Sequence, residues 1–481
     1  MTGKAVLAGR DPDPDQDPEA EPDLDLHSFA SQLYPICRSI TGAGVRRTLA
    51  LIGERVPLVL REVPSGSRVF DWEVPLEWNI DSACILDPHG EPVVAFEDHN
   101  LHIVSYSEPV QQSLELEQLL PRLHTLPDEP DWIPYRTSYY QRSWGFCLPH
   151  RRLLQLRPGR YHARVHSRLQ TGSLTYGEWY LPGRSRREVL LFTHVCHPSL
   201  ANDNASGMAL LPALARWLAS APRRYSYRAV FAPGTIGSLC WLRANERRLG
   251  RVAHGLVLGL LGDPAPLTYK SSRRGDCEID RVAAYVLADP VFGGSTIPFE
   301  PYGYDERQLC SPGFNLPVGR LTRSVNGGYR QYHSSADDLA LIQPTALGQS
   351  LEACKRILSV LEDNRRWVGT RPKGEPRLGK RGLYRPTGGA SPAQREQALL
   401  WILNQADGGP ALLDIAARSG LSFDELAAAA TELAQAKLLR EARPAAAARK
   451  AGGTRPRPAG RRLLQPEHNH LRGRLRRRPD R

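Results

Sequence analysis

The sequence has no closely spaced cysteine pairs and no long hydrophobic run. Its eight cysteines are scattered through 481 residues, and none belongs to a Cys-x-x-Cys pair. A disulfide framework and a zinc knuckle built from cysteines are therefore not expected. No apolar run approaches the roughly 18–20 residues that a membrane-spanning helix needs. The first residues also lack the apolar segment of a secretion signal. We therefore expect a soluble, cytoplasmic protein.

Several common catalytic motifs are missing too. The chain contains no Gly-x-Ser-x-Gly elbow, no phosphate-binding loop with Gly-Lys-Ser/Thr, and no Gly-x-Gly-x-x-Gly after a predicted strand. Serine hydrolases of the elbow type, P-loop enzymes and dinucleotide-binding enzymes are thus not indicated. Cys196 and His197 are adjacent, and neighbouring side chains on an extended chain point to opposite sides. This argues against a Cys–His nucleophile.

The two ends of the chain differ sharply in charge. Residues 1–26 carry a net charge of −6, and residues 441–481 carry +10 of the overall +12. The alternation of Asp and Pro at the start predicts a disordered acidic head. The Arg-, Pro- and Ala-rich end predicts a disordered basic tail. Its charge is sufficient for nonspecific contact with nucleic acid, although sequence readout requires contacts to the bases.

Between these ends the predicted elements change character several times. Short apolar strands alternate with amphipathic helices, which predicts an α/β fold with a sheet covered on both faces. The last helical segment resembles a helix-turn-helix, but its second helix, FDELAAAATELAQA, offers Asp, Glu and Ala where a groove reader shows Arg, Asn or Gln. A packing role is favoured, and a homo-oligomer stays open. The predicted segments are two helices over 27–55, a β-rich insert over 56–108, the α/β domain over 27–55 and 109–365, a linker over 366–388 and a winged-helix-like domain over 389–440.

The most informative segment is EVLLFTHVCHPSLANDNASGMALLPALARWL, at 188–218. A buried strand ends at His194, His197 follows, and a turn containing Asp203 opens a helix. Open α/β sheets place ligands beyond the carboxyl ends of their strands. Imidazole nitrogen and carboxylate oxygen are suitable donors for zinc. Asp203 alone is equally suited to cap the helix, so the complete string carries the prediction.

Two distant segments fit the same site. GLVLGLLGDPAP is a predicted buried strand followed by Asp263, and GGYRQYHSSADDLALI carries His333 in a loop before a helix. Together with His194 and Asp203, these residues form a mixed nitrogen and oxygen donor set that leaves a position for water. Such an open set is typical of a catalytic rather than a structural zinc site.

These strings resemble the zinc aminopeptidases of the α/β type, and more closely a bacterial branch of aminopeptidase-like proteins. That branch has an inserted β domain and a C-terminal winged helix, and the resemblance covers about 27–440. It implies a mixed sheet flanked by helices and hydrolysis of an amide bond in a small peptide or aminoacyl substrate. The strings that carry the resemblance are YPICRSITGAGVRRTL, VFDWEVPLEWNI, TSYYQRSWGFCL, GSLTYGEWYLPG, HVCHPSLANDNASG, GYDERQLCSPGFNLPVGRLTRS and YHSSADDL.

The resemblance also implies roles for single residues. His194 and His333 match the first and last metal-binding histidines. Asp203 matches a metal-bridging carboxylate joined to Asn204 by a cis bond, and Asp263 falls near a further carboxylate ligand. His197 has no counterpart in the aminopeptidases at large, so it either replaces or supplements His194.

One departure from the family pattern matters most. The position of the aminopeptidases' general-base Glu is Gly234 in this chain, within FAPGTIGS. A glycine has no side chain that accepts a proton or binds zinc. The place of a second, metal-binding Glu is Thr235, which favours one zinc ion over two.

Three explanations stay open for the missing base. The fold is a degenerate hydrolase now used for binding, another acid has moved in, or an internal nucleophile makes the base unnecessary. Asp305 and Glu306 of GYDERQ are the candidate substitutes.

Three further residues are candidates for substrate binding. Arg273 and Arg274 are suited to grip a substrate carboxylate, and Tyr332 to donate to an oxyanion. A solvated loop and simple packing are the alternatives. The sequence thus supports three hypotheses: a zinc-dependent amide hydrolase, a ligand-binding pseudo-peptidase, and a nucleic-acid-associated protein.

Overall fold

The computed structural model describes residues 25–325, 327–383 and 392–442. The predicted acidic head and basic tail lie almost entirely outside the described residues, as does part of the predicted linker. Over the described ranges the helices are α1 (Leu26–Leu33), α2 (Ala43–Gly53), α3 (Leu116–Leu119), α4 (His150–Leu153), α5 (Ser206–Ala219), α6 (Ile236–Asn245), α7 (Glu278–Leu287), α8 (Asp305–Leu309), α9 (Pro344–Asp363), α10 (Pro392–Gln405), α11 (Leu412–Ser419) and α12 (Phe423–Gln435). The strands are β1 (Val59–Pro64), β2 (Arg68–Val69), β3 (Trp72–Glu73), β4 (Glu77–Leu86), β5 (Pro92–Ala95), β6 (Val110–Glu115), β7 (Leu123–His124), β8 (Phe146–Cys147), β9 (Arg160–Gln170), β10 (Ser173–Leu181), β11 (Glu188–His194), β12 (Ser226–Ala232), β13 (Val252–Leu258), β14 (Thr268–Lys270), β15 (Ser295–Ile297), β16 (Val318–Thr322), β17 (Arg366–Gly369), β18 (Asp407–Ala411) and β19 (Leu439–Glu441).

A mixed sheet forms the centre of the described part of the chain, with strand order β1-β10-β12-β11-β13-β16-β14-β15. The inner strands β12, β11, β13 and β16 run parallel. On one side β10 pairs antiparallel with β12, and on the other β14 pairs antiparallel with β16. Every residue of β11 and β12 is buried, as expected for strands covered on both faces. This confirms the α/β fold predicted from the sequence.

The inner strands divide their side chains between two hydrophobic cores. Val189 and Leu191 of β11 pack in the core that contains α1, α5 and α9. Leu190 and Phe192 pack in the core that contains α6 and the strands β4 and β9. This alternation follows from the two-residue period of a strand. It leaves the ends of the strands as the place where polar side chains can gather.

The β-rich insert is less separate than the sequence indicated. β1 lies within the predicted insert 56–108, yet it pairs with β10 at the edge of the central sheet. A smaller sheet among the described residues, in the order β5-β4-β9-β6, takes in β6 and β9 from outside that range. The boundaries 56–108 therefore do not coincide with a structural unit, because periodicity reveals strands but not their partners.

The C-terminal domain begins earlier than predicted. β17 lies within the segment predicted as a linker, 366–388, but pairs antiparallel with both β18 and β19. The described C-terminal residues thus form a winged helix, in which this three-stranded sheet packs with the helices α10, α11 and α12. A strand of only four residues has too short a pattern to be recognised in a polar stretch, which explains the error.

The winged helix packs firmly against the α/β domain. Asp424, in the first turn of α12, makes two contacts of 2.9 Å with Arg356 of α9. The backbone N–H of Phe423 donates to the hydroxyl of Tyr285, at 3.2 Å. In helix-turn-helix proteins the start of this helix contacts base edges, and here it contacts the protein itself. None of the described helices combines the length and apolar character that crossing a membrane requires.

Candidate metal centre

The polar side chains predicted to bind metal begin at the carboxyl end of β11. The strand ends at His194, and the chain then passes His197 and enters a short helical segment, Ala201–Ala205, that leads into α5. Asp203 lies in this segment with non-helical backbone angles. Its bond to Asn204 is cis, as the resemblance implied. The tight turn brings three candidate ligands from ten residues of chain to one place.

Three side chains form a buried donor cluster. One ligand atom from each of His194, His197 and Asp203 lies within 4.8 Å of the other two. His194 Nε2 is 2.7 Å from Asp203 Oδ1, and His197 Nδ1 is 3.4 Å from the same oxygen. This nitrogen of His197 is buried and has no hydrogen-bond partner in the part of the chain that is described. Since buried polar atoms are nearly always satisfied, this nitrogen and the donor set fit a bound zinc ion.

His333 joins this cluster from a distant part of the chain. Its Nε2 lies 3.1 Å from Asp203 Oδ2, so the two oxygens of Asp203 face different histidines. The His333 backbone has a φ of 56°, in the left-handed region that residues other than glycine rarely adopt. The side chain of His333 is 33% exposed, whereas that of Asp203 is 3% exposed. Of the four side chains, that of His333 is the most exposed.

Asp263 does not join the cluster, and this corrects the prediction. Its Oδ2 accepts the side-chain amide of Asn202 at 2.7 Å. Its Oδ1 accepts the hydroxyl of Ser324 at 3.0 Å and the backbone N–H of Ala265 at 2.9 Å. With both oxygens engaged, Asp263 supports the turn that carries Asp203. Asp263 follows β13, which ends at Leu258, and the sequence did not show which neighbours its carboxylate meets.

The environment prepares the cluster for a cation. Burial, opposed by the hydrogen bond to Asp203, lowers the pKa of His194 to about 4. Burial alone would raise the pKa of Asp203, but His197 and the hydrogen bonds from the histidines hold it well below its ordinary value. At neutral pH the site thus presents a neutral imidazole and a carboxylate. These are the protonation states in which both groups bind metal.

Two buried residues that the sequence reasoning missed hold the ligand loop in place. Asp337 accepts the backbone N–H groups of Asn202, at 2.6 Å, and of Asp203, at 3.0 Å. Arg38 donates from Nε to the backbone carbonyl of His197, at 2.9 Å. Asp337 lies in the recognised string YHSSADDL and Arg38 in YPICRSITGAGVRRTL, so the signal was present. Only the potential ligands within these strings were singled out.

Aromatic rings cover the outer side of the cluster. Tyr135 packs edge-on against both His197 and His333, with ring centroids 5.2 Å apart in each case. Its backbone N–H donates to the carbonyl of His333, at 2.8 Å. Tyr332 stacks on His333 at 3.9 Å between centroids. Tyr332 therefore lies at the rim of the centre, where the sequence placed it as a candidate for substrate binding.

The two candidate substitutes for the missing base differ in their surroundings. Glu306 is buried and paired with Lys270 at 2.6 Å and with Arg320 at 4.0 Å. Asp305 is fully buried, and neither of its oxygens has a hydrogen-bond partner among the described residues. Burial raises the pKa of Asp305 to about 8. Neither carboxyl belongs to the donor cluster, and Asp305 is mainly protonated at neutral pH. Both stay predictions as substitutes for the missing base.

Arg273 and Arg274 do not face the centre, in contrast to the prediction. Both contact Asn315, through its side-chain and backbone oxygens at 3.2 Å and 2.6 Å respectively. Arg274 lines a cavity of about 610 Å³ together with Val252 and His254, at the amino end of β13. That is the opposite edge of the sheet from His194. The charge of the SSRRGD loop gave no information about which edge it joins.

The mixed α/β fold is one that solved aminopeptidase structures share. A zinc aminopeptidase from Bacillus subtilis aligns with a TM-score of 0.52 at 12% identity, over 70% of this chain and 94% of its own. A peptidase M28 precursor from Shewanella amazonensis aligns with a TM-score of 0.50 at 14% identity, over 71% and 93%. At such low identity these likenesses establish the fold alone.

The chain belongs to the family described as a domain of unknown function, DUF4910, whose model matches residues 27–364. A winged helix-turn-helix model matches residues 365–441. A Clostridium acetobutylicum protein, provisionally described as a polysaccharide biosynthesis protein with an aminopeptidase-like domain, is 44% identical over 86% of this chain and 96% of its own. A crystal structure from that organism, provisionally described as a peptidase, aligns with a TM-score of 0.82 at 43% identity, over 87% and 96%. The resemblance to aminopeptidase-like proteins with a winged helix is thereby confirmed.

Proposed function

We propose that this protein is a zinc-dependent amide hydrolase that acts on a small peptide or an aminoacyl conjugate. The observation that carries the proposal is the buried cluster of His194, His197 and Asp203, with His333 at its rim, at the carboxyl edge of an aminopeptidase-type sheet. These residues would hold the ion. A bound zinc ion supplies a Lewis acid and lowers the pKa of bound water. One ion is favoured over two, because Thr235 replaces a ligand and Asp263 is engaged elsewhere.

The surroundings of the cluster support a small substrate or the end of a longer one. The side chains of His194, His197 and Asp203 are 2–4% exposed, whereas that of His333 is 33% exposed. The name of the Clostridium acetobutylicum relative refers to polysaccharide biosynthesis. An amide on a sugar precursor therefore belongs in the substrate panel beside peptides and aminoacyl amides.

The test combines metal content with hydrolysis. Untagged protein is analysed by elemental mass spectrometry and assayed on dipeptides, aminoacyl 4-nitroanilides and N-acyl amino sugars. We expect one zinc per chain and hydrolysis of at least one substrate. His333→Ala should abolish hydrolysis, whereas His89→Ala, at an exposed turn, should leave it unchanged. Absence of stoichiometric metal, or full activity of the His333 variant, would overturn the proposal.

A second candidate function is ligand binding by a protein that has lost catalysis. Gly234 favours it, since loss of a positioned base costs roughly 100- to 10,000-fold in rate. In that case a carboxylate returned at this position should raise hydrolysis strongly. Because Tyr304 fills the adjacent space, the informative variant is the double change Gly234→Glu with Tyr304→Ala, compared with Tyr304→Ala alone. Brisk hydrolysis by the unchanged protein would contradict this candidate.

A further inference from the structure

The space beside Gly234 is filled by one aromatic ring. A Cβ atom at position 234 would lie 2.0 Å from Cε1 of Tyr304, 2.6 Å from its Cζ and 2.7 Å from its hydroxyl oxygen. Real Cβ atoms essentially never approach heavy atoms this closely. The Tyr304 ring therefore occupies the path along which any side chain at position 234 would leave the backbone. The observed position of Tyr304 therefore requires a residue without a Cβ atom at 234.

The same ring lies against the donor cluster. The Tyr304 ring centroid is 4.2 Å from that of His194 and 5.7 Å from that of His197. Its hydroxyl is 3.3 Å from Sγ of Cys196, which lies between His194 and His197 in the sequence. A thiol is a weak hydrogen-bond partner. The phenol can therefore exchange this contact for a better acceptor at small cost.

We propose that Tyr304 takes the place of the missing side chain at position 234 and donates its phenol O–H to the carbonyl oxygen of the substrate. This inference rests on the proposed amide hydrolase function and names a group that acts in it. A phenol is an O–H donor at neutral pH. A positioned donor stabilises the negative charge that develops on a carbonyl oxygen during hydrolysis. No proton transfer is required of Tyr304, so it replaces the volume of a carboxylate but not its role as a base.

A purely structural role for Tyr304 makes a different prediction. If the ring only fills space, phenylalanine performs that role equally well, because it keeps the ring and lacks only the hydroxyl. If the hydroxyl binds substrate, phenylalanine retains the fold and loses transition-state stabilisation. Gly234→Ala provides an independent route to the same loss, since it adds no chemistry and acts by displacing the ring.

The experiment uses the full-length, zinc-loaded protein and five variants: Tyr304→Phe, Gly234→Ala, their combination, and two controls. The controls are Tyr302→Phe, at a ring that is 67% exposed on the same loop, and Gly250→Ala, where an added Cβ would meet no described atom within 4 Å. Zinc content, kcat and KM are measured on the best amide substrate. The affinity for leucine phosphonic acid, a tetrahedral mimic of the hydrolytic intermediate, is measured by calorimetry.

We expect Tyr304→Phe to lower kcat by roughly 100-fold and to weaken phosphonate binding by a similar factor, while zinc content and KM change little. Gly234→Ala should show the same pattern. The combination should be no worse than the more impaired single variant, because both changes remove one interaction. The two controls should match the unchanged protein.

The possible failures are distinguishable. Unchanged kcat and unchanged phosphonate affinity in Tyr304→Phe would overturn the role of Tyr304 and leave the hydrolase proposal standing. If the unchanged protein binds the phosphonate but hydrolyses nothing, the hydrolase proposal fails, and the binding comparison still decides the role of the phenol. Zinc-loaded protein that shows neither hydrolysis nor binding would overturn both.

Discussion

Arg38 and His197 are joined by a hydrogen bond of 2.9 Å from the guanidinium Nε to the backbone carbonyl, and both residues are buried. Arg38 lies between α1 and α2, whereas His197 follows β11. Burial lowers the pKa of Arg38 to about 10, so the guanidinium still carries its charge at neutral pH. A second donor group of Arg38 binds the carbonyl of Leu33. The first two helices are thereby fixed to the loop that carries the metal ligands.

Replacing Arg38 by Met should weaken the metal centre without removing a ligand. The variant leaves the carbonyl of His197 without its donor, and partners of this kind typically alter metal affinity by roughly 10- to 100-fold. Competition with a zinc chelator measures the change. Arg47→Met, at an exposed position of α2, is the matched control. Equal zinc affinity in both variants would show that the Arg38 contact does not position His197.

Replacing one carboxylate oxygen of Asp337 by an amide nitrogen should destabilise the protein. Its carboxylate receives the backbone N–H groups of Asn202 and Asp203. Asp337→Asn places an amide donor against an N–H donor, which should lower the free energy of unfolding by about 1–3 kcal/mol. It should also reduce zinc affinity. The neighbouring Asp338→Asn, which can still accept the N–H of Ala340, should be close to neutral by urea denaturation.

His254 should make the protein sensitive to mild acid. Burial, together with nearby Arg187 and Arg224, lowers the pKa of His254 to about 3. Because the unfolded chain has an ordinary histidine pKa of roughly 6.5, unfolding takes up a proton between these values. The stabilising contribution is complete above the upper value and falls as pH drops toward the lower one.

Removing this titration should flatten the pH dependence of stability. The free energy of unfolding of the unchanged protein should fall more steeply below pH ~6.5 than that of His254→Gln, by up to about 1.4 kcal/mol per pH unit. Urea denaturation at several pH values measures both slopes. His89→Gln, at an exposed turn, controls for the change in composition. Identical slopes in the unchanged protein and His254→Gln would refute the prediction.

Nucleic-acid contact should depend on the basic end of the chain and not on α12. Residues 441–481 carry a net charge of +10, so we propose salt-dependent, sequence-independent retention on DNA. A chain that ends at residue 442 should lose this retention. Changing the exposed Thr431 and Gln435 of α12 to Ala should leave it intact, because the start of that helix already contacts Arg356. Sequence-specific binding that depends on α12 would contradict this expectation.

The main elements of the fold were predictable because their patterns are local. β11 combines an apolar run with a polar end, and α5 and α9 have well-formed amphipathic patterns, so each was recognised from its own residues. The pairing of β1 with β10 joins strands more than 100 residues apart. No local pattern encodes such a pairing. The pairing of strands across the boundary of the β-rich insert was therefore not predictable.

In the metal centre, too, residues that lie close together in the sequence were predictable, whereas contacts between distant residues were not. His194, His197 and Asp203 lie within one short string. His333 was a candidate from a distant segment, and the resemblance matched it to the last metal-binding histidine. The contacts of Asp263 with Asn202 and Ser324, and of Asp337 with the backbone of the ligand loop, were not predictable, because they join distant parts of the chain. The absence of a carboxylate at Gly234 was evident from the sequence. That Tyr304 fills the vacated space depends on packing between residues 70 positions apart.

The connection between α9 and β17 links the α/β domain to the winged helix. Asn364 and Arg365 span it alone, and Asn364 is bonded on one side to Glu278 and on the other to the backbone of Leu413. A link this short, bonded on both sides, ties the orientation of the winged helix to the end of α9.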